Sequence, residues 1–283
     1  MAESPPFADS FDDPRITRQF CRRLPNPAGD LILLGVVHDH PASVARVERV
    51  LDRIDPDALA LELPTAAVPL YRAYARDGDA GDAPPRFGGE MSAAIRAASD
   101  ADIVGIDAPN WSFCRRLVTR LIGDRVSPAT ARRVLSGLGG ATREALTCRV
   151  AATLTHATSM TVACDDPIEY DCDPADPPTR QAAHERSHVA GVQALLGSVG
   201  TDDSALAYRD ETRERCMIDR LEALRSEPGD VVAVVGIDHL ERLATGLSES
   251  KANPDAEAEP VVETDAEAEP DAEAKTDVDA EAA

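Results

Sequence analysis

Four short aliphatic runs, separated by stretches with helical spacing, do most to limit what this chain can become. They are LILLGVV at 31–37, ALALEL at 58–63, DIVGID at 102–107 and VVAVVG at 231–236. Each is short and bounded by turn residues, so each reads as a buried strand. Residues 42–54 place Val44, Val47, Val50, Leu51 and Ile54 on one helical face, and Pro56-Asp57 ends that helix. Further helices are expected at 65–76, 91–99, 111–123, 127–160, 180–196, 205–226 and 238–247, with loops at 77–86 and 165–180. This alternation implies β-α-β crossovers. The expected fold class is α/β: a mixed, largely parallel sheet flanked by helices, with a helical insertion and a disordered acidic C-terminal tail.

Three segments follow: an N-terminal extension (1–29), an α/β domain (30–247) and an acidic low-complexity tail (248–283). The tail repeats DAEAEP at 255–260 and 265–270 and has few apolar side chains to offset the entropy of ordering it. The net charge of −22 repels phosphate backbones and anionic lipids, which excludes nucleic acid and membrane as expected partners. Only Lys251 and Lys275 of the 29 basic residues are lysines. An acidic, lysine-poor surface suits a halophilic cytoplasm, where salt screens the repulsion between carboxylates. None of the six cysteines forms a Cys-x-x-Cys pair, so reduced, mostly buried thiols are expected. No signal peptide is visible, and no apolar run approaches the ~18 residues of a membrane span. The cytoplasm is the expected compartment, and a homo-oligomer stays open.

In parallel sheets, ligands bind beyond the carboxyl ends of the strands. Two strands here end alike, in Gly35-Val36-Val37-His38 and Gly236-Ile237-Asp238-His239, and a third carries Glu62. Glycine permits a tight turn or a close backbone approach at the strand end. A lone histidine in such a place usually satisfies hydrogen bonds and nothing more. Two in the same context, out of six in the chain, point to a shared site. His38, His239 and Glu62 make a ligand set that Zn, Mn or Co accepts. Three protein ligands leave a position open for the water of a hydrolysis.

A rival motif is His184-Glu185-Arg186-Ser187-His188, which fits the zincin pattern His-Glu-x-x-His. Arg186 is out of place on such a helix, and a third ligand at a familiar spacing is absent, so the segment reads as the solvated start of a helix. His40 and His156 read as structural or surface residues. Trp111 reads as a loop anchor, and the arginines at 115–120 as an ion-paired helix face.

The segment LILLGVVHDHPASVARVERVLDRIDPDALALEL resembles the opening of the TraB/PrgY family, which is similar to the Tiki metalloproteases and more remotely to erythromycin-esterase-like and ChaN-like proteins. Ser43, Val47, Pro56, Asp57 and Glu62 match in order. GGEMSAAIRAASDADIVGID resembles the family's next segment at Gly88, Glu90, Met91, Ala94 and Asp107. TRERCMIDRL resembles its later helix at Arg213 and Met217, and VVAVVGIDHLERL its closing Gly-x-x-His segment. The resemblance covers about residues 30–247. Thr212 stands where the family has an acid, and an acidic tail replaces the membrane helices of many relatives.

By position, the resemblance implies His38 and His239 as metal ligands or catalytic histidines, and Glu62 as a third ligand or general base. It implies Glu90 as another acid, base or ligand, and Arg213 as the stabiliser of an oxyanion. Asp107 would fix an imidazole tautomer from behind. The implied activity is metal-assisted hydrolysis of a peptide or amide bond; a small-molecule substrate also fits the pattern. The competing expectation is a non-catalytic regulator that binds a peptide or other ligand.

Overall fold

A computed structural model of the chain describes residues 7–76, 85–107, 111–124, 132, 134, 167–198 and 204–252. Its strands are β1 (Cys21–Leu24), β2 (Leu31–Val36), β3 (Ala58–Pro64), β4 (Asp102–Asp107) and β5 (Val231–Gly236). They form one sheet in the order β1-β2-β5-β3-β4. β1 is antiparallel to β2; every other pair is parallel. The helices are α1 (Pro41–Ile54), α2 (Val68–Arg76), α3 (Gly89–Ala97), α4 (Trp111–Gly123), α5 (Pro178–Ser198), α6 (Ser204–Arg225) and α7 (Ile237–Ala252). The expected α/β architecture is present, and α4 to α6 supply the helical insertion between β4 and β5.

The aliphatic runs are continuous because both faces of the sheet are covered. Along β2, Ile32, Leu34 and Val36 face one core with Val47, Val50 and Leu51 of α1 and Met91 and Ile95 of α3. Leu31 and Leu33 face the other, with Met217 and Leu221 of α6 and Leu240 and Leu243 of α7. A third cluster joins Phe113, Leu117 and Leu121 of α4 to Cys216 of α6. Cys21, Cys172 and Cys216 are buried free thiols, the three of the six whose side chains are described.

Three details depart from the sequence pattern. β1 has no counterpart among the expected strands, because CRRL is short and carries two arginines; it is an edge strand held by backbone pairing, with only Cys21 buried. Ile16 and Phe20, also in the expected extension, are buried in the same fold. On α1, Val44 is only half-buried while Arg46 is fully enclosed. Arg46 can be there because its guanidinium donates to the Arg15 and Gly35 carbonyls and to Glu185. Most of the expected 127–160 helix, His156 and the tail beyond 252 lie outside the described residues. Among the described residues, no helix is long and apolar enough to cross a membrane.

Candidate functional site

β2 and β5 run side by side in register, with Val36 opposite Gly236. Both Gly-x-x-His segments therefore leave the sheet at one edge. From there they differ. His38 sits in a turn closed by the His40 N–H on the Val37 carbonyl, 3.1 Å. His239 lies in the first turn of α7. Gly35 serves packing: a Cβ there would meet Leu240 Cδ2 at 2.8 Å and Ile237 Cδ1 at 2.9 Å. Its absence lets α7 lie close against β2.

His38 is held from below. Its Nδ1 lies 2.8 Å from Glu90 Oε1, and Glu90 Oε2 accepts the Asp39 N–H at 2.8 Å. Glu90 is fully buried in the first turn of α3. A carboxylate only accepts, so Nδ1 carries the proton and Nε2 is the basic nitrogen. The His38 side chain is 51 % exposed, so solvent and ligands can reach it. Asp39 adopts the left-handed region at φ 56°. Its carboxylate lies so close to Gly89 that a Cβ there would come within 2.1 Å of Oδ1. Asp39 Oδ2 accepts the Ile168 N–H at 3.0 Å, and the Tyr170 hydroxyl donates to the His38 carbonyl at 2.7 Å. The segment before α5 is thus tied to the His38 turn at two points.

His239 has the same support from another helix. Its Nδ1 lies 3.0 Å from Glu214 Oε1, which also accepts from Arg242 at 2.7 Å. Its Nε2 is 3.4 Å from Glu62 Oε1. Glu62 Oε2 accepts the Gly236 N–H at 2.7 Å, and Oε1 accepts from Arg213 at 3.1 Å. Arg213 forks onto Asp107, with Nε on Oδ1 at 2.9 Å and a terminal nitrogen on Oδ2 at 2.7 Å. Burial pushes the Glu62 carboxyl above its ordinary range, against the opposing pull of His239, the Gly236 N–H and Arg213. Burial also works against the Arg213 charge, but the Asp107 bonds and the Asp107 and Glu62 charges outweigh it and raise its pKa.

The residues singled out in the sequence thus fall into two groups, His38 with Glu90, and His239 with Glu62, Arg213 and Asp107. The carboxylates on the imidazole Nδ1 atoms are Glu90 and Glu214, whereas Asp107 holds Arg213. Glu214, Asp39, Tyr170 and Arg242 carried no assigned role in the sequence. Only Glu214 had a signal there, as an acid adjoining Arg213 on the helix that packs under β4 and α7.

Two sets of potential metal ligands have their donor atoms within 4.8 Å of one another among the described residues: His38–Asp39–Glu90 and His40–Cys172–His184. His38, His239 and Glu62 do not form such a set. In the second set, His40 Nδ1 accepts the Ala42 N–H at 3.1 Å and Nε2 meets His184 Nδ1 at 3.0 Å. Both nitrogens of this buried ring are engaged, and an ion would have to displace one bond. Burial, then the neighbouring His184, His188 and Arg46, pushes His40 down to about 4. Glu185, the acid of the His-Glu-x-x-His motif, is fully buried and receives Arg46 and Ser43. It is committed to the core and is not placed as a general base. The Arg116 and Arg120 pairs with Asp219 and Glu211 match an ion-paired helix face.

The His239–Glu62 pair has the chemistry for a divalent ion. Donors each ~2.0–2.2 Å from one ion stand a little over 3 Å apart, and Nε2 and Oε1 are separated by 3.4 Å. A carboxylate behind the ligating imidazole is the usual support of such a ligand, and Glu214 supplies it. Glu62, Asp107 and Glu214 face Arg213 and Arg242, so the group carries one more carboxylate than guanidinium. No family model matches this chain, and comparison with curated proteins and with solved structures likewise finds no match.

Proposed function

We propose that the chain is a hydrolase of peptide or related amide bonds, of the TraB kind that its sequence resembles. One observation carries this reading: two histidines at one sheet edge, each held at Nδ1 by a buried glutamate. A carboxylate so placed fixes the tautomer, orients the ring and stabilises the imidazolium that forms when Nε2 takes a proton. His38, the exposed ring, takes the proton of the attacking water, and Glu90 stabilises the resulting charge. Arg213 uses Nε and one terminal nitrogen on Asp107 and Glu62; its other N–H groups stabilise the oxyanion. Glu62, its carboxyl pushed above the ordinary range by burial, lies beside His239 Nε2, and this pair serves the leaving amine. A divalent ion such as Zn, Mn or Co on His239 and Glu62 would supply Lewis-acid polarisation of the carbonyl.

The test is turnover of a quenched peptide library by the full chain, with and without added metal and chelator, beside metal analysis of the purified protein. Activity lost in both His38→Ala and His239→Ala is expected, with folding intact by circular dichroism. Absence of turnover under every metal condition, with peptide binding retained, would show a binding protein instead. Chelator-sensitive activity would place an ion in the site.

A further inference from the structure

A groove opens beside the His38 turn. Asp39 and Gly89, the neighbours of His38 and Glu90, are among the residues that line it. Its volume is about 230 Å³, below the ~300–1,000 Å³ of sites that enclose a whole drug-sized ligand. One side chain fits it better than a free small molecule does.

We infer that this groove is the subsite for a single apolar side chain of the substrate, next to the bond that is cut; the inference rests on the hydrolase reading. Three observations point to an apolar occupant. First, Val44 and Ala45 line the groove and are only half-buried, at the margin of the α1 face whose Val47, Val50 and Leu51 are enclosed, so the core leaves part of each uncovered. Second, Ile168 lines it while 49 % exposed, one of three large hydrophobics so exposed among the described residues. Ile168, Val44 and Ala45 together give the groove an aliphatic lining beside the His38 turn. Third, the charged wall groups already have partners: Asp39 Oδ2 takes the Ile168 N–H, Glu48 takes Arg96, and Arg86 lies over the Phe87 ring. Asp39 and Glu48 thus already meet N–H donors, and an aliphatic side chain enters without the desolvation cost that a charged one carries.

The walls are also stiff. Pro41, Pro85, Pro167 and Pro174 line the groove. Proline has a fixed φ and no N–H to donate. A fixed φ at these four positions lowers the ordering cost of binding. Ile168 is tied to Asp39 by its backbone N–H, so an occupied groove lies directly against the residue that follows His38.

The experiment separates binding from turnover. Binding of N-acetyl-leucinamide and N-acetyl-aspartamide to the full chain is followed by NMR titration. Turnover is followed on a peptide series that varies one residue among Leu, Phe, Ala, Asp and Lys. Leucinamide should bind at least ~10-fold more tightly than aspartamide, and kcat/KM should favour Leu and Phe over Asp and Lys by roughly 10–100-fold. Ala45→Trp fills the groove from a half-buried position and should abolish that preference, mainly through KM. Ile168→Ala, at an exposed site, should weaken leucinamide binding several-fold, and it decides the matter if Ala45→Trp disturbs folding. Leucinamide binding that Ile168→Ala weakens, without turnover of any peptide, would sink the hydrolase reading and keep the apolar subsite. Turnover or binding indifferent to the side chain and to both variants would overturn the subsite.

Discussion

Glu214 Oε1 lies 3.0 Å from Nδ1 of His239, the relation that Glu90 holds to His38 at 2.8 Å. The two supports come from unrelated helices, α6 and α3, and reach the edge from different directions. Their common effect is to leave Nε2 as the basic nitrogen of each ring. Glu90→Gln and Glu214→Gln keep an acceptor near Nδ1 but remove the charge that stabilises the imidazolium. Each should lower kcat by roughly 10²–10⁴ with little change in KM. Steady-state kinetics with the same peptide decide. A variant that raises KM alone would show that its glutamate serves binding.

The enclosed Arg46–Glu185 pair ties α1 to α5, and so fixes the segment that holds His38 from outside. Both side chains are fully buried. Removing one partner strands the other charge, which costs about 3–5 kcal/mol, whereas an apolar pair of similar size is near neutral. Arg46→Met and Glu185→Leu should each lower stability in urea by that amount. The double variant should recover much of it, because no charge is then left unpaired. If the two losses simply add, the pair is not coupled.

Most of the frame was legible in the amino-acid sequence, because buried parallel strands are continuous aliphatic runs. LILLGVV and VVAVVG each read as a buried strand, and the structure pairs them from Leu31–Val231 to Val36–Gly236. The shared sheet edge followed from the strand direction. What could not be read was the part made by polar groups far apart in the chain. Arg46 on a helix face reads as solvent-facing; only the three-dimensional meeting with Glu185 and the Gly35 carbonyl puts it inside. Glu214 sits beside Arg213, and nothing in helical spacing says which of them meets an imidazole. β1 was hidden because its four residues are held by the backbone and its sequence is half arginine. His184 and Glu185 looked like the edge of a solvated helix, yet Glu185 lies in the core and His184 bonds to His40.

His40 makes a pH prediction with a definite sign. Its folded pKa is depressed to about 4 from an ordinary 6.5, burial being the main cause. Below pH 6.5 the unfolded chain takes up a proton that the folded ring refuses. Stability from this residue is therefore intact above pH 6.5 and is lost as pH falls from 6.5 toward 4. The steepest slope is about 1.4 kcal/mol per pH unit. His40→Asn keeps a good helix cap for the Ala42 N–H and removes the titration. Urea midpoints measured from pH 7.5 to 4.5 should fall more steeply for the wild-type chain than for His40→Asn. Parallel curves would mean that His40 does not govern this part of the acid response.

The net charge of −22 sets the last prediction. Like charges spread over one chain repel across a range set by salt, roughly 10 Å at 0.1 M and 3 Å at 1 M. Arg213 and Arg46 are engaged in close, partly or fully buried pairs that salt screens weakly. The repulsion among exposed carboxylates is screened strongly. Raising KCl from 0.05 M to 2 M should therefore raise the Tm of the full chain by several degrees, as the repulsion fades while the buried pairs persist. Scanning calorimetry across that range is the measurement. A Tm that falls with KCl would mean that exposed ion pairs such as Arg22–Glu241 and Arg18–Asp9 outweigh the repulsion, and the halophilic reading of the composition would be dropped.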